Sequence, residues 1–173
     1  MITERLIETV VGQFQLDILG KHGLGHWARV FENGTRLARE VGANENVIQL
    51  FALFHDSGRV HELADEGHGV RGSHLANELF FEFDMGISRD ELIVLAEACA
   101  THTSQAFHKW PTIQCCYDAD RLDLARVRVL PDRKRLGSDA ARLMVQTCCR
   151  KAICEHVPVN ILGDAYRKLK QEA

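Results

Sequence analysis

The chain has 173 residues, 46% of them hydrophobic and 26% charged, with a formal net charge of −3. That length and apolar content suit one domain around one core and argue against a second independent domain. The near-neutral balance gives no reason to expect nucleic acid or an anionic membrane as a partner, so any phosphate binding has to be local.

Residues 2–19 place Leu6, Val10, Phe14 and Ile18 at helical spacing and predict a first helix. Glu4, Arg5, Glu8 and Asp17 interrupt it, unlike the core of a secretion signal, and no uncharged apolar run approaches the roughly 20 residues that span a bilayer. The expectation is a soluble, cytoplasmic protein with no membrane partner. Gly20, Gly23 and Gly25 precede a second helix over 25–41, and Gly42 follows it. His22 and His26 stand four apart, but the glycines between them argue against one continuous helix carrying both.

A third helix over 45–57 contains Val47 to Phe54, apolar on nearly all sides, which marks a buried central helix. It runs directly into His55-Asp56. An imidazole and a carboxylate at the end of the most buried helix are costly to desolvate, and a bound metal ion is the commonest compensation. After a turn at Gly67 and Gly69, helices are expected over 69–83, 89–102, 112–126, 138–155 and 161–171. The three prolines, at 111, 131 and 158, all lie late, and no β-type alternation stands out. The fold class is therefore all-α: one domain over 1–173, a bundle of about seven to eight helices, with the ligand-bearing part near 22–126 and helices 138–171 completing the core.

Eight of the nine histidines precede residue 110. Histidine mixed with carboxylates suits divalent transition metals (Fe, Mn, Zn, Co or Ni), and a set larger than four suits two ions. The six cysteines form no CxxC pair and read as reduced, mostly buried thiols.

The order His26, His55-Asp56, Asp120, in the contexts GHWARV, FHDSGR and YDADRLD, resembles the HD superfamily over residues 26–120. His68, in HGVRGSHLA with Gly72 four residues on, and His102, ending LIVLAEACATH, are similar to the additional ligands of its two-metal members. The resemblance implies an HD-type helical bundle in which His26, His55 and Asp120 hold one ion, His68 and His102 a second, and Asp56 bridges both. It also implies a phosphohydrolase that cleaves a small phosphate ester or nucleotide with a metal-activated hydroxide, Asp56 and Arg59 being the catalytic residues. Arg59, three residues beyond Asp56, would offer a bidentate guanidinium to phosphate, with Arg71 and Arg121 as weaker candidates.

No GYP follows His102, where TSQAFHKWP stands, which argues against the cyclic-di-GMP branch. HD relatives with six such ligands include diiron oxygenases. The interval from His102 to Asp120, 120 − 102 = 18, is shorter than theirs and favours hydrolysis. A nucleotide-sensing module without catalysis is a third class, disfavoured by six retained ligands and no second domain. Asp123 reads as an orienting residue for a ligand or Arg121 or as a surface ion pair, and His61-Glu62 as a solvated loop pair ahead of a general acid or base. The basic run Arg126–Arg135 reads as a solvated loop, a phosphate-gathering rim or a homo-oligomer contact.

Overall fold

A computed structural model describes residues 1–173 as eight α-helices and two 3₁₀ turns, at Leu124–Val127 and Arg133–Arg135, with no strand. Helix α1 (Glu4–Gln13) starts where the Thr3 hydroxyl accepts the Leu6 N–H at 3.2 Å, but stops six residues short of the predicted end. Phe14 turns extended and sets its ring edge-on to Trp27 at 5.3 Å, while Ile18 reaches the core from a looped segment. Leu6 and Val10 are buried and Phe14 and Ile18 partly so, in line with their apolar spacing, whereas tertiary packing overrode the helix at its end.

Helix α2 (Leu24–Val41) closes on Gly42 at φ 69°, a left-handed cap that favours glycine. Helix α3 (Glu45–Phe54) is capped by the Asn44 side chain, and every residue from Val47 to Phe54 except Gln49 is buried, as expected of a central helix. It is followed by α4 (His68–Phe80), α5 (Arg89–Thr101), α6 (Pro111–Arg121), α7 (Asp139–Ile153) and α8 (Ile161–Glu172). Local chemistry explains these starts: a Ser88–Glu91 capping box for α5, proline at the first position of α6, and Ser138 and Asn160 side chains at α7 and α8.

Helix α3 packs against α2, α5 and α6, α4 lies along α5, and α7 and α8 flank α2. The buried Asp118 carboxylate pins the start of α7 to α6, accepting the N–H groups of Gly137 (2.9 Å) and Ser138 (3.1 Å), the Ser138 hydroxyl (3.0 Å) and the Gln114 amide (2.9 Å). Residues Ala141, Met144, Cys148 and Leu162 then join the single core. All six cysteines are free and four are buried, and burial pushes the Cys115 and Cys148 thiols up to about 12, so both stay protonated. No helix is long and apolar enough to cross a membrane.

Gly72, on α4, lets that helix sit directly against the end of α3. A Cβ at this position would stand 2.2 Å from the Phe54 carbonyl oxygen, a backbone atom that cannot swing away. Gly72→Ala is therefore expected to cost about 1–3 kcal/mol, seen as a thermal midpoint roughly 3–10 °C lower in a chain of this size. An unchanged midpoint would show that α4 can move off α3 freely.

Candidate metal centre

The ends of four helices meet beside the C-terminus of α3. His55 caps the C-terminus of α3, and Asp56 follows in the turn; the helix does not continue as predicted to residue 57. His26 comes from the first turn of α2, His68 from the start of α4, His102 from the C-cap of α5 and Asp120 from the last turn of α6. The four histidines and Asp56 are almost wholly buried, and Asp120 alone shows 15% of its side chain to solvent.

The six residues form two groups around Asp56. Its Oδ2 lies 3.6 Å from His26 Nε2 and 3.8 Å from His55 Nε2, and Asp120 Oδ1 stands 3.4 and 3.9 Å from the same two nitrogens. Asp56 Oδ1 faces the other way, 3.1 Å from His68 Nε2 and 4.0 Å from His102 Nε2.

The tautomers follow from the opposite ring edges. His26 Nδ1 donates to the Asp123 carboxylate at 2.7 Å, His55 Nδ1 to the Phe51 carbonyl at 3.1 Å, His68 Nδ1 to the Asp65 carbonyl and His102 Nδ1 to the Cys99 carbonyl at 2.7 Å. Each acceptor takes a proton and none can give one, so in the neutral rings all four Nε2 atoms are bare lone pairs.

Yet Nε2 of His26 and His55 stand 3.0 Å apart, and Nε2 of His68 and His102 3.1 Å apart. Two lone pairs at that distance, next to a carboxylate oxygen, repel unless a cation lies between them. Protons are a poor cation here. Burial pushes the His55 imidazole down to about 3 against the pull of Asp56, and burial likewise lowers His102. Ligands about 2.0–2.2 Å from one ion stand roughly 3–3.5 Å from each other, close to the separations found. The donor set fits two divalent transition ions, one in each group.

The carboxylates are ionised. Burial alone would raise Asp56, but His55 beside it and hydrogen bonds with His22 and His68 hold it well below the usual carboxylate range. Asp120 is likewise lowered against burial, by His26 and by the Arg126 charge, and Asp123 by its bond to His26.

Asp123 thus orients His26, and Arg29 Nε holds its other oxygen at 2.7 Å. Asp123→Asn is expected to weaken metal binding at the His26–His55 group by about 10–100-fold, measured by calorimetric titration with Mn²⁺. Wild-type affinity in the variant would mean that the ring is held by its packing alone.

Two further side chains stand against the cluster. His22 also reaches Asp56, its Nδ1 lying 3.2 Å from Oδ2, with Nε2 3.2 Å from the Glu62 carbonyl. The four-residue spacing from His26 was the available signal, but the two rings divide the work, His26 facing His55 and His22 standing outside that pair. Arg126, from the 3₁₀ turn, stands with its terminal nitrogens 3.8 Å from Asp56 Oδ2 and 3.9 Å from Asp120 Oδ1. Its place at the head of the basic run Arg126–Arg135, three residues after Asp123, was the available signal.

Arg59 does not point freely into the site, because its Nε donates to Asp56 Oδ1 at 2.9 Å and its Nη1 to the carbonyls of His61 and Leu63. Arg71 is committed to the Gly58 carbonyl and Asp65, and Arg121 to the carbonyls of His102 and Ala106. His61 and Glu62 are exposed, His74 lies on the outer face of α4, and His108 pairs with Glu97.

A family model described as "HD domain" matches residues 23–125, the segment that contains all six clustered residues. No curated protein matches the chain. Among solved structures, the crystal structure of a predicted HD superfamily hydrolase from an uncultured Thermotogales bacterium is similar, with a TM-score of 0.65 at 24% identity, covering 98% of this chain and 93% of that one. A likeness at that identity speaks for the fold.

Proposed function

The chain belongs to the HD-domain family, and from that premise we propose that it is a metal-dependent phosphohydrolase acting on a small phosphate ester or nucleotide. In this reading His26, His55, Asp56 and Asp120 hold one divalent ion, and Asp56, His68 and His102 the other. The observation that carries it is the pair of facing, buried Nε2 lone pairs on each side of Asp56. Bound there, divalent ions supply Lewis acidity to a phosphate oxygen and make water a better nucleophile at neutral pH.

The chain's own groups do the remainder. Asp56 offers one oxygen to each side, and Arg59 Nε keeps its carboxylate from rotating. Arg59 Nη2 has no hydrogen bond within the protein and remains available to a phosphate oxygen. Asp120, the one partly exposed member, marks the side from which substrate enters.

The test is metal analysis of anaerobically purified protein, followed by assay of phosphomonoesters, phosphodiesters and nucleotides with Mn²⁺ and with Fe²⁺. Metal-dependent phosphate release is the expected result. Oxygen consumption without phosphate release would replace this reading with an oxygenase, and tight nucleotide binding with no turnover would replace it with a sensor.

A further inference from the structure

A cavity of about 140 Å³ opens between the first turn of α2, the Leu124–Val127 turn and the chain linking α7 to α8. One ordered water needs roughly 10–15 Å³, so a small oxyanion has room. His26 and Arg126 line this cavity and also border the ligand cluster, which makes the two spaces neighbours.

The wall carries Lys21, Arg29 and Arg126 against one acid, the exposed Glu155. Both arginine side chains are more than nine-tenths buried and fixed in place. Arg29 donates through Nε to Asp123 and through Nη1 to the His156 carbonyl; Arg126 donates through Nε to the Lys21 carbonyl and through Nη1 to the Asp123 carbonyl. Each therefore keeps an Nη2 with no hydrogen bond in the protein, and the distances from Arg126 to Asp56 and Asp120 exceed bonding range. Ions held by Asp56 and Asp120 would occupy those two carboxylates and leave the Arg126 charge less compensated.

The backbone adds donors to the same space. The α2 N-cap is Gly23, without a side chain to cap the helix, the first turn holds no acid, and the N–H groups of Gly25 and His26 have no acceptor. Gly25 leaves the helix open toward Tyr166 and Arg29, where its Cβ would stand 3.4 Å from the tyrosine ring. Free first-turn amides, the positive end of the helix and the buried Arg29 guanidinium border one cavity, and Arg126 stands between it and the Asp56 side of the ligand cluster.

We propose that this cavity is a second anion subsite, which takes a carboxylate or phosphate on the part of the substrate that leaves. The substrate class is then a phosphate ester bearing a second anionic group. The assignment of that role rests on the hydrolase reading above; the anion site itself does not.

The test begins with metal-free, isotope-labelled protein titrated with inorganic phosphate and followed by amide shifts. Saturable shifts at Gly25 and His26 are expected, with binding weakened about tenfold in Lys21→Glu, since a charge-assisted contact becomes a repulsion. Lys21 is exposed, and Arg126 uses its carbonyl and not its side chain, so the variant leaves the scaffold intact. Shifts confined to other residues, or equal binding by the variant, would overturn the site.

With Mn²⁺ added, kcat/KM for an ester carrying a second anionic group, taken relative to that for p-nitrophenyl phosphate, should fall by a similar factor in the variant. Turnover without phosphate binding at Gly25 leaves the hydrolase and removes the subsite. Phosphate binding without metal-dependent turnover removes the hydrolase, and with it the substrate role of the cavity.

Discussion

Asp56→Ala is expected to lose metal from both groups and to lower phosphate release by at least about 10³-fold, because the reaction depends on ions that one carboxylate helps to hold on each side. No other residue sits in both groups: Oδ2 faces His26 and His55, Oδ1 faces His68 and His102. Removing it takes the only carboxylate from the second group and leaves the half-buried Arg59 Nε and the buried His22 without their shared partner. Unpairing buried charge costs about 3–5 kcal/mol, so Asp56→Asn serves as the companion variant that preserves volume and one oxygen. Metal content per chain, read by mass spectrometry on folded protein, decides the matter. Two ions retained by either folded variant would rule out the bridging role. His68→Ala is expected to give up one ion and keep the other, which distinguishes a two-ion centre from a single site.

The second large effect is on stability, through metal and pH together. A ligand at about 100 times its Kd stabilises by roughly 2.7 kcal/mol, so Mn²⁺ should raise the thermal midpoint by about 5–10 °C per ion, and chelator should reverse it. In metal-free protein, acid should act in the opposite direction. The unfolded chain protonates its histidines near 6.5, whereas buried His55 resists protonation down to about 3. Between those values the unfolded state binds more protons, and stability falls as pH falls.

For His55 the loss between pH 7 and pH 5 is about 2 kcal/mol, and His102, lowered by the same burial, acts in the same sense. Asp56, Asp120 and Asp123, all held below their ordinary values, contribute stability that is present above the unfolded carboxylate value near 3.8 and is lost below it. Thermal melts across pH 5–8, with and without Mn²⁺, measure both terms. A midpoint insensitive to metal, or one that rises on acidification, would contradict the buried-imidazole geometry.

Part of this was legible in the residues themselves. An apolar helix that ends in His55-Asp56 declares its own anomaly, because two polar groups there are too costly without a compensating partner. The all-α class follows from helical spacing and late prolines, and the existence and order of the eight helices with it. The six ligand candidates could be named because the contexts of His26, His55-Asp56 and Asp120, with those of His68 and His102, resemble the motifs of the HD superfamily. Gly72 could be noted as a companion of His68, but its reason, the close pass over the Phe54 carbonyl, exists only in three dimensions.

What the fold alone decided are the contacts that join distant parts of the chain. His26 meets Asp123 across 97 residues, and His22 meets Asp56 across 34. No periodicity encodes which nitrogen faces which oxygen. Arg59 was expected to lie one helical turn beyond Asp56 and offer its guanidinium to phosphate; the turn after Phe54 brings its Nε onto Asp56 instead. Arg126 looked like one base in a charged run, and only the return of the Leu124–Val127 turn over α2 sets it beside both carboxylates. Local sequence determines which residues can ligate and where helices stop, because propensity and capping act over a few residues. Which side of Asp56 each imidazole addresses, and where an anion can rest, depend on how the core holds the helix ends against one another.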